Sequence, residues 1–348
     1  MSPPDPETQV QFLFKIQRLL SEGGFVATYK FALLVALAEL AVERGDDTTE
    51  HLDLDTVDLA EKFVHLYWRQ VLPWVPFGGA EPGRLHQVTG GETAILRAVQ
   101  EAHLTFEGSL SALRRDSRAW RGLLARVART IAVMPLWRLQ TVGRQQLDFL
   151  YPNTGRGNRI RLRGEAVHCL RRFHDLVGDL VRAAWVRFVR QLPRNRPLLG
   201  ESADLSEFLF GSDRSVLAPF RELLLDEQQG RCFYCGNRLG SAMQVVDHFI
   251  PWSRYPMDLG ENLVLADERC NCWKSDMLPA VGHLIRWRER NAQGRMGKSF
   301  AAAGLPHDGT VVERVAFWAY SLAEKARAQL WLRGRDELVP VDPSWRGI

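Results

Sequence analysis

Apolar residues recur at three- and four-residue steps through most of the first 200 positions, and that period predicts helices. VQFLFKIQRLL (10–20) carries such a stripe and is stopped by Ser21-Glu22-Gly23-Gly24. Residues 25–41 are apolar on nearly every side, so a buried helix is predicted there. DTVDLAEKFVHLYWRQVL (55–72) opens on an acidic cap and ends before Pro73. Gly and Pro crowd residues 74–91, which predicts a loop. Helices are expected again at 93–104 and 117–140. Two short apolar runs flank PNTGRGN within 147–162, the pattern of a small hairpin. A long helix is then expected over 164–192, broken by PRNRP (193–197).

The pattern changes beyond residue 203. A short helix and then VLAPFRELLLDEQQG (216–230), ending at Gly230, are expected to be helical. QVVDHFIP (244–251) alternates as a strand does. A long loop, ENLVLADERCNCWKSDM (261–277) and helices at 281–291 and 311–330 complete the chain. The expected layout is mainly α, with an α-helical region at 1–200 and a second region at 201–348.

Composition narrows the class. With 46% hydrophobic and 25% charged residues, the 348-residue chain is globular rather than disordered. FALLVALAELAV (31–42) is too short to span a bilayer and contains Glu39, so no membrane association is expected. MSPPDPETQ has neither a basic n-region nor a long apolar run, so the expected setting is the cytoplasm. Charge is distributed in blocks. Residues 1–110 carry 8 Lys/Arg against 16 Asp/Glu, net −8. Residues 111–200 carry 19 against 5, net +14, and residues 201–348 carry 18 against 20, net −2. A basic middle block fits either a polyanionic partner or solvated Arg-rich helices. The acidic first block suits protein contact better than DNA contact.

Four of the five cysteines lie between 232 and 272. Cys232 and Cys235, in CFYC, have chelating spacing, but could equally be a redox pair or buried thiols. Asp267 and Cys270 repeat the spacing in DERC, and together the two pairs could complete a tetrahedral zinc site. Asp247 and His248 are neighbours in a predicted strand and so point to opposite faces. Asn262 follows, and Asn271 and Lys274 would share one face of a helix opening near 265. A neutral imidazole is a suitable base for water, and a carboxylate with a carboxamide is a hard donor set that magnesium prefers.

The segment, roughly 215–280, resembles the HNH endonuclease family, whose core is a ββα-metal module. The resemblance rests on CFYC (232–235), DHFIPWS (247–253), ENLVLA (261–266) and CNCWKSD (270–276). It implies His248 as general base, Asp247 and Asn271 as ligands of a catalytic Mg2+ or Mn2+, and Asn262 as the residue that holds the loop and orients His248. Lys274 would support phosphate charge. A structural Zn2+ on Cys232, Cys235, Asp267 and Cys270 is also implied. Asp267 departs from the family's second cysteine pair, and Cys272 is an alternative ligand. The implied activity is metal-dependent nicking of DNA, with the 201–348 region as the nuclease domain. The 1–200 region would recognise DNA or bind partner proteins of a phage-defence or restriction system. Backbone contacts are expected from Arg182, Arg187, Arg190, Arg194 and Arg196, and Arg156, Arg159 and Arg161 of the expected hairpin could add to them. His168 and His174 are expected at the surface or an interface. The rivals are a non-catalytic DNA-binding scaffold keeping the zinc fold, and a thiol redox protein using Cys232 and Cys235.

Overall fold

The computed structural model describes residues 3–75, 81–91, 93–154, 156–199, 205–211, 214–240 and 243–347. Parts of the expected 74–91 loop (76–80), of the PNTGRGN turn (155) and of the helix expected from 203 (203–204) lie outside the described residues. The chain forms two compact units, Met1–Gly211 and Ser212–Ile348.

The first unit is helical: α1 (Pro6–Glu22), α2 (Tyr29–Arg44), α3 (Thr56–Trp68), α4 (Ala94–Thr105), α5 (Leu110–Arg115), α6 (Ser117–Val133), α7 (Gly164–Arg172), α8 (His174–Gln191) and α9 (Leu205–Phe210). Four short strands join them: β1 (Leu52–Asp55), β2 (Thr141–Val142), β3 (Gln145–Gln146) and β4 (Arg159–Leu162). As its all-round apolarity requires, α2 is central, buried without a break from Phe31 to Glu43 and packed by α3, α7 and α8. Its two buried carboxylates, Glu39 and Glu43, share the buried ammonium of Lys62 on α3. An unpaired charge at that depth would cost several kcal/mol, so the three residues fix the α2–α3 register. Helix α3 starts in a capping box between Asp55 and Asp58.

Several expectations are corrected. The helix expected over 117–140 stops at Val133, because Pro135 cannot continue it. The long helix over 164–192 is two, α7 and α8, divided at Phe173 with no Gly or Pro to mark the break. Each half sends a face into the same core, which buries His168 and His174 rather than leaving them at the surface. The hairpin over 147–162 does not form. Instead β4 pairs antiparallel with β1, Leu54 opposite Ile160 and Leu52 opposite Leu162. Phe149, Leu150 and Tyr151 sink into the core, where Gln140 accepts from Leu150 N (2.7 Å) and donates to Tyr151 O (2.8 Å). Helix α9 also belongs to this unit, which therefore runs past residue 200. Gln70 donates to Leu209 O (3.2 Å), and Phe210 meets the Trp185 ring edge-on.

The second unit runs α10 (Ala218–Glu227), β5 (Gln244–His248), β6 (Leu263–Asp267), α11 (Glu268–Lys274), α12 (Val281–Ala292), α13 (Arg295–Ala303), α14 (Gly309–Lys325), β7 (Gln329–Arg333) and β8 (Glu337–Pro340). The fold class is as expected, helical with a small ββα module. Helix α13 and the β7–β8 hairpin were not anticipated, and the hairpin replaces the end of a helix expected to reach 330. No helix among the described residues is long and apolar enough to cross a membrane.

Replacing Lys62 with Met would leave Glu39 and Glu43 buried without a counter-charge. It is expected to destabilise the first unit by about 3–5 kcal/mol, measured as a lower urea midpoint. Adding Glu39→Gln and Glu43→Gln should recover most of that loss.

Candidate active site

Strands β5 and β6 pair antiparallel from Gln244 opposite Asp267 to His248 opposite Leu263. The apolar run of β6 is buried from Leu263 to Ala266, which seats the hairpin in its unit. Asp267 ends β6 and caps α11, its carboxylate accepting from Arg269 N at 2.9 Å. Helix α11 ends at Ser275, held at φ 47°.

Asp247 and His248 therefore sit at the end of β5, both almost fully buried. The Asp247 carboxylate receives Tyr234 OH at 2.5 Å and the Lys274 ammonium at 3.2 and 3.1 Å. Lys274 also donates to His248 O (2.9 Å) and Ser275 O (3.4 Å). Burial, with Asp247 alongside, pushes the Tyr234 phenol well up, so it stays a donor. His248 Nε2 lies 2.8 Å from Asp258 Oδ1, and its ring packs near Trp252. Asn262 closes the loop after β5: its Oδ1 accepts from Ile250 N (2.8 Å), its Nδ2 donates to Ile250 O (3.0 Å), and its backbone carbonyl accepts from Phe249 N (2.7 Å). Asn271 is half-buried and shares a helix face with Lys274.

The expected role of Lys274 at a phosphate is corrected. Its ammonium is buried and engaged by Asp247 and two carbonyls, so it clamps the site from within. An ionised carboxylate offers about four lone-pair positions, and two donors, Tyr234 OH and the Lys274 ammonium, engage Asp247 here. Asp247 and Asn271 each carry a hard oxygen donor of the kind that Mg2+ or Mn2+ prefers.

The sulfurs of Cys232, Cys235 and Cys270 all lie within 4.8 Å of one another. Cys232 is pushed down to about 5, chiefly by the Cys270 thiol and also by backbone donors that include Asp267 N at 3.2 Å. The Cys232 thiolate in turn raises Cys270, while burial is the main cause of the rise at Cys235. A preformed thiolate between two thiols fits zinc. Asp267 stands outside the group, its carboxylate engaged at the start of α11, and so does the exposed Cys272, on the far side of α11 from Cys270.

Residues 232–280 match the family model described as HNH endonuclease, and residues 9–208 match the model Domain of unknown function (DUF8808). The chain belongs to the DUF8808 family and carries an HNH endonuclease module. Comparisons with curated proteins and with solved structures give no match.

Apart from Asp267, the HNH module gathers the nuclease and thiol residues expected from the sequence within one hairpin, one helix and the knuckle before them. Two partners were missed. Tyr234 lies inside CFYC, where only the cysteines drew notice, and Asp258 sits in the loop, four residues before Asn262. In the first unit, Arg182 pairs with Asp179 (2.8 Å) and Arg194 donates to Gly90 O (3.0 Å), while Arg187, Arg190 and Arg196 are exposed. Arg159 and Arg161 are held by Asp55 and Asp53 across the β1–β4 pair, and Arg156 is exposed.

Purified protein is expected to hold about one zinc ion per chain, and Cys232→Ser should lose it; elemental analysis reads both. Asp267→Asn, which keeps a capping oxygen, should retain the metal if the ligands are the three thiolates.

Proposed function

We propose that the protein is a metal-dependent DNA endonuclease that nicks one strand per active site. The observation that carries this is the pairing, at the end of β5, of a histidine tied to Asp258 with a carboxylate anchored by Tyr234 and Lys274. In the neutral imidazole, donation of Nε2–H to Asp258 leaves Nδ1 as the lone pair. Nδ1 would take the proton from water attacking the phosphorus, and the bond from phosphorus to O3′ breaks. Asp258 then stabilises the imidazolium, as a carboxylate behind a base does. A divalent cation held by Asp247 and Asn271 would offset charge on the phosphate and leaving oxygen. Asn262 keeps His248 in place through its bonds to Ile250. Zinc on the three thiolates would serve the fold.

A place in phage defence is part of the proposal. It rests on the joining of a cutting module to a helical unit that could recognise DNA or dock partner proteins in the cytoplasm. The contrary reading, a non-catalytic DNA-binding scaffold, draws on the Lys274 ammonium already resting on Asp247.

Supercoiled plasmid with Mg2+ or Mn2+ should be nicked by wild type. His248→Ala should lower the rate by about 10²–10⁴-fold; no nicking by either protein would favour the scaffold. Asp258→Asn is expected to cut at a rate lowered about 10–100-fold, with unchanged thermal stability, and plaque counts with wild type against His248→Ala test the defence role.

A further inference from the structure

We infer that the exposed face of α6 is the surface by which the first unit holds the phosphate backbone of duplex DNA. The partner is chosen on the nuclease reading above, while the surface is argued from the first unit alone.

The segment Ser109–Val133 contains six arginines and one aspartate, whereas α8 has three arginines and two aspartates. The lone acid, Asp116, is exposed and caps α6, its carboxylate accepting from Arg118 N and Ala119 N. Arg114 is drawn to Glu61 and Arg126 to Glu101. Arg118, Arg121 and Arg129 are exposed and make no ion pair among the described residues; Arg121 Nε only reaches Ser117 O of its own helix. From Arg118 to Arg129 is eleven residues, a run of about 16 Å, over which a duplex presents several phosphates.

A second observation points to a partner. Gly122 and Ala125 lie between these arginines, at steps of four, three and four residues from Arg118 to Arg129. Glycine inside a helix costs about 1 kcal/mol against alanine. Nothing among the described residues requires it, because a Cβ there would meet no atom within 4 Å. The buried side of α6, built on Leu123, Leu124, Val127, Ala128 and Ile131, faces away from it. A flat strip flanked by unpaired guanidiniums suits close approach of a sugar–phosphate chain, which arginine contacts by charge and hydrogen bonding. No residue here carries a base-reading signature, so the contact is independent of sequence.

The test uses the full chain in the His248→Ala background, so that the probe stays whole, with no divalent metal added. Binding of a fluorescent DNA duplex is followed by anisotropy across a salt series. Each phosphate contact adds about 0.9 to the slope of log K against log salt, so Arg118→Gln/Arg121→Gln/Arg129→Gln should reduce that slope by about 2.7. Gly122→Gln should weaken binding at least about tenfold while leaving the melting temperature unchanged or higher. A slope unaltered in the triple variant, or a larger reduction from Arg187→Gln/Arg196→Gln on and beyond α8, overturns the assignment. A duplex RNA of the same sequence bound more tightly than the DNA overturns the choice of partner. Plasmid nicking by wild type is scored separately: lost nicking with an intact slope change would sink the nuclease reading and leave the α6 surface standing.

Discussion

The C-terminal module is organised around a carboxylate that cannot be left alone. Asp247 is buried, and a buried charge persists only when paired and hydrogen-bonded. Its partners come from two other segments, Tyr234 between the knuckle cysteines and Lys274 at the end of α11. Satisfying one carboxylate therefore fixes three pieces of chain relative to one another. The knuckle is brought against β5, so Cys232 and Cys235 meet Cys270 from the first turns of α11. The helix is held so that Asn271 shares the face that reaches Asp247. The thiol group and the candidate nuclease pair are thus two ends of one constraint, and disturbing either should be felt by the other.

His248 depends on that constraint less directly. Its backbone carbonyl accepts from Lys274, while its ring is oriented by Asp258 from the loop that Asn262 closes. Glu261 extends the hold: its carboxylate accepts from Asp308 N (3.0 Å), and its carbonyl accepts from Trp287 and Arg290 of α12. Helices α12 and α14 thereby brace the loop that carries Asp258. These C-terminal elements lie outside the matched residues 232–280, yet they hold the loop from which Asp258 meets the imidazole.

Much of the site was legible in the sequence because its residues are close in the chain and their types are chemically uncommon in combination. Asp247, His248, Asn262 and Asn271 could be picked out without a fold. What spacing could not show was occupancy. A C-x-x-C pattern says nothing of the Tyr234 hydroxyl inside it, and a helix lysine reads the same whether it reaches a phosphate, as expected of Lys274, or is buried. Asp267 fitted a ligand spacing, but its carboxylate caps α11 and stands outside the group that the three sulfurs form. The fold shows the same division. Local periodicity predicted α1 to α4 well, while β4 paired with β1 across more than 100 residues, a partner that no local turn signal marks. The break at Phe173 is likewise imposed by packing.

Charge blocks in the sequence also proved a poor map of the surface. The acidic first 110 residues and the basic stretch after them look like two separate faces, one for proteins and one for DNA. Folding instead lays them across one another. Glu61 meets Arg114, Glu101 meets Arg126, Asp53 and Asp55 meet Arg161 and Arg159, and Asp47 meets Arg171. The exposed pairs among these contribute little stability, because water screens them. Their larger effect is on the field, since each pair removes one arginine from the positive potential that the composition promised. What is left is set by geometry. On α6, Arg118, Arg121 and Arg129 stay exposed and without an ion pair among the described residues, on a face they share with Gly122 and Ala125, whereas α8 carries Asp175 and Asp179 on its own first turns.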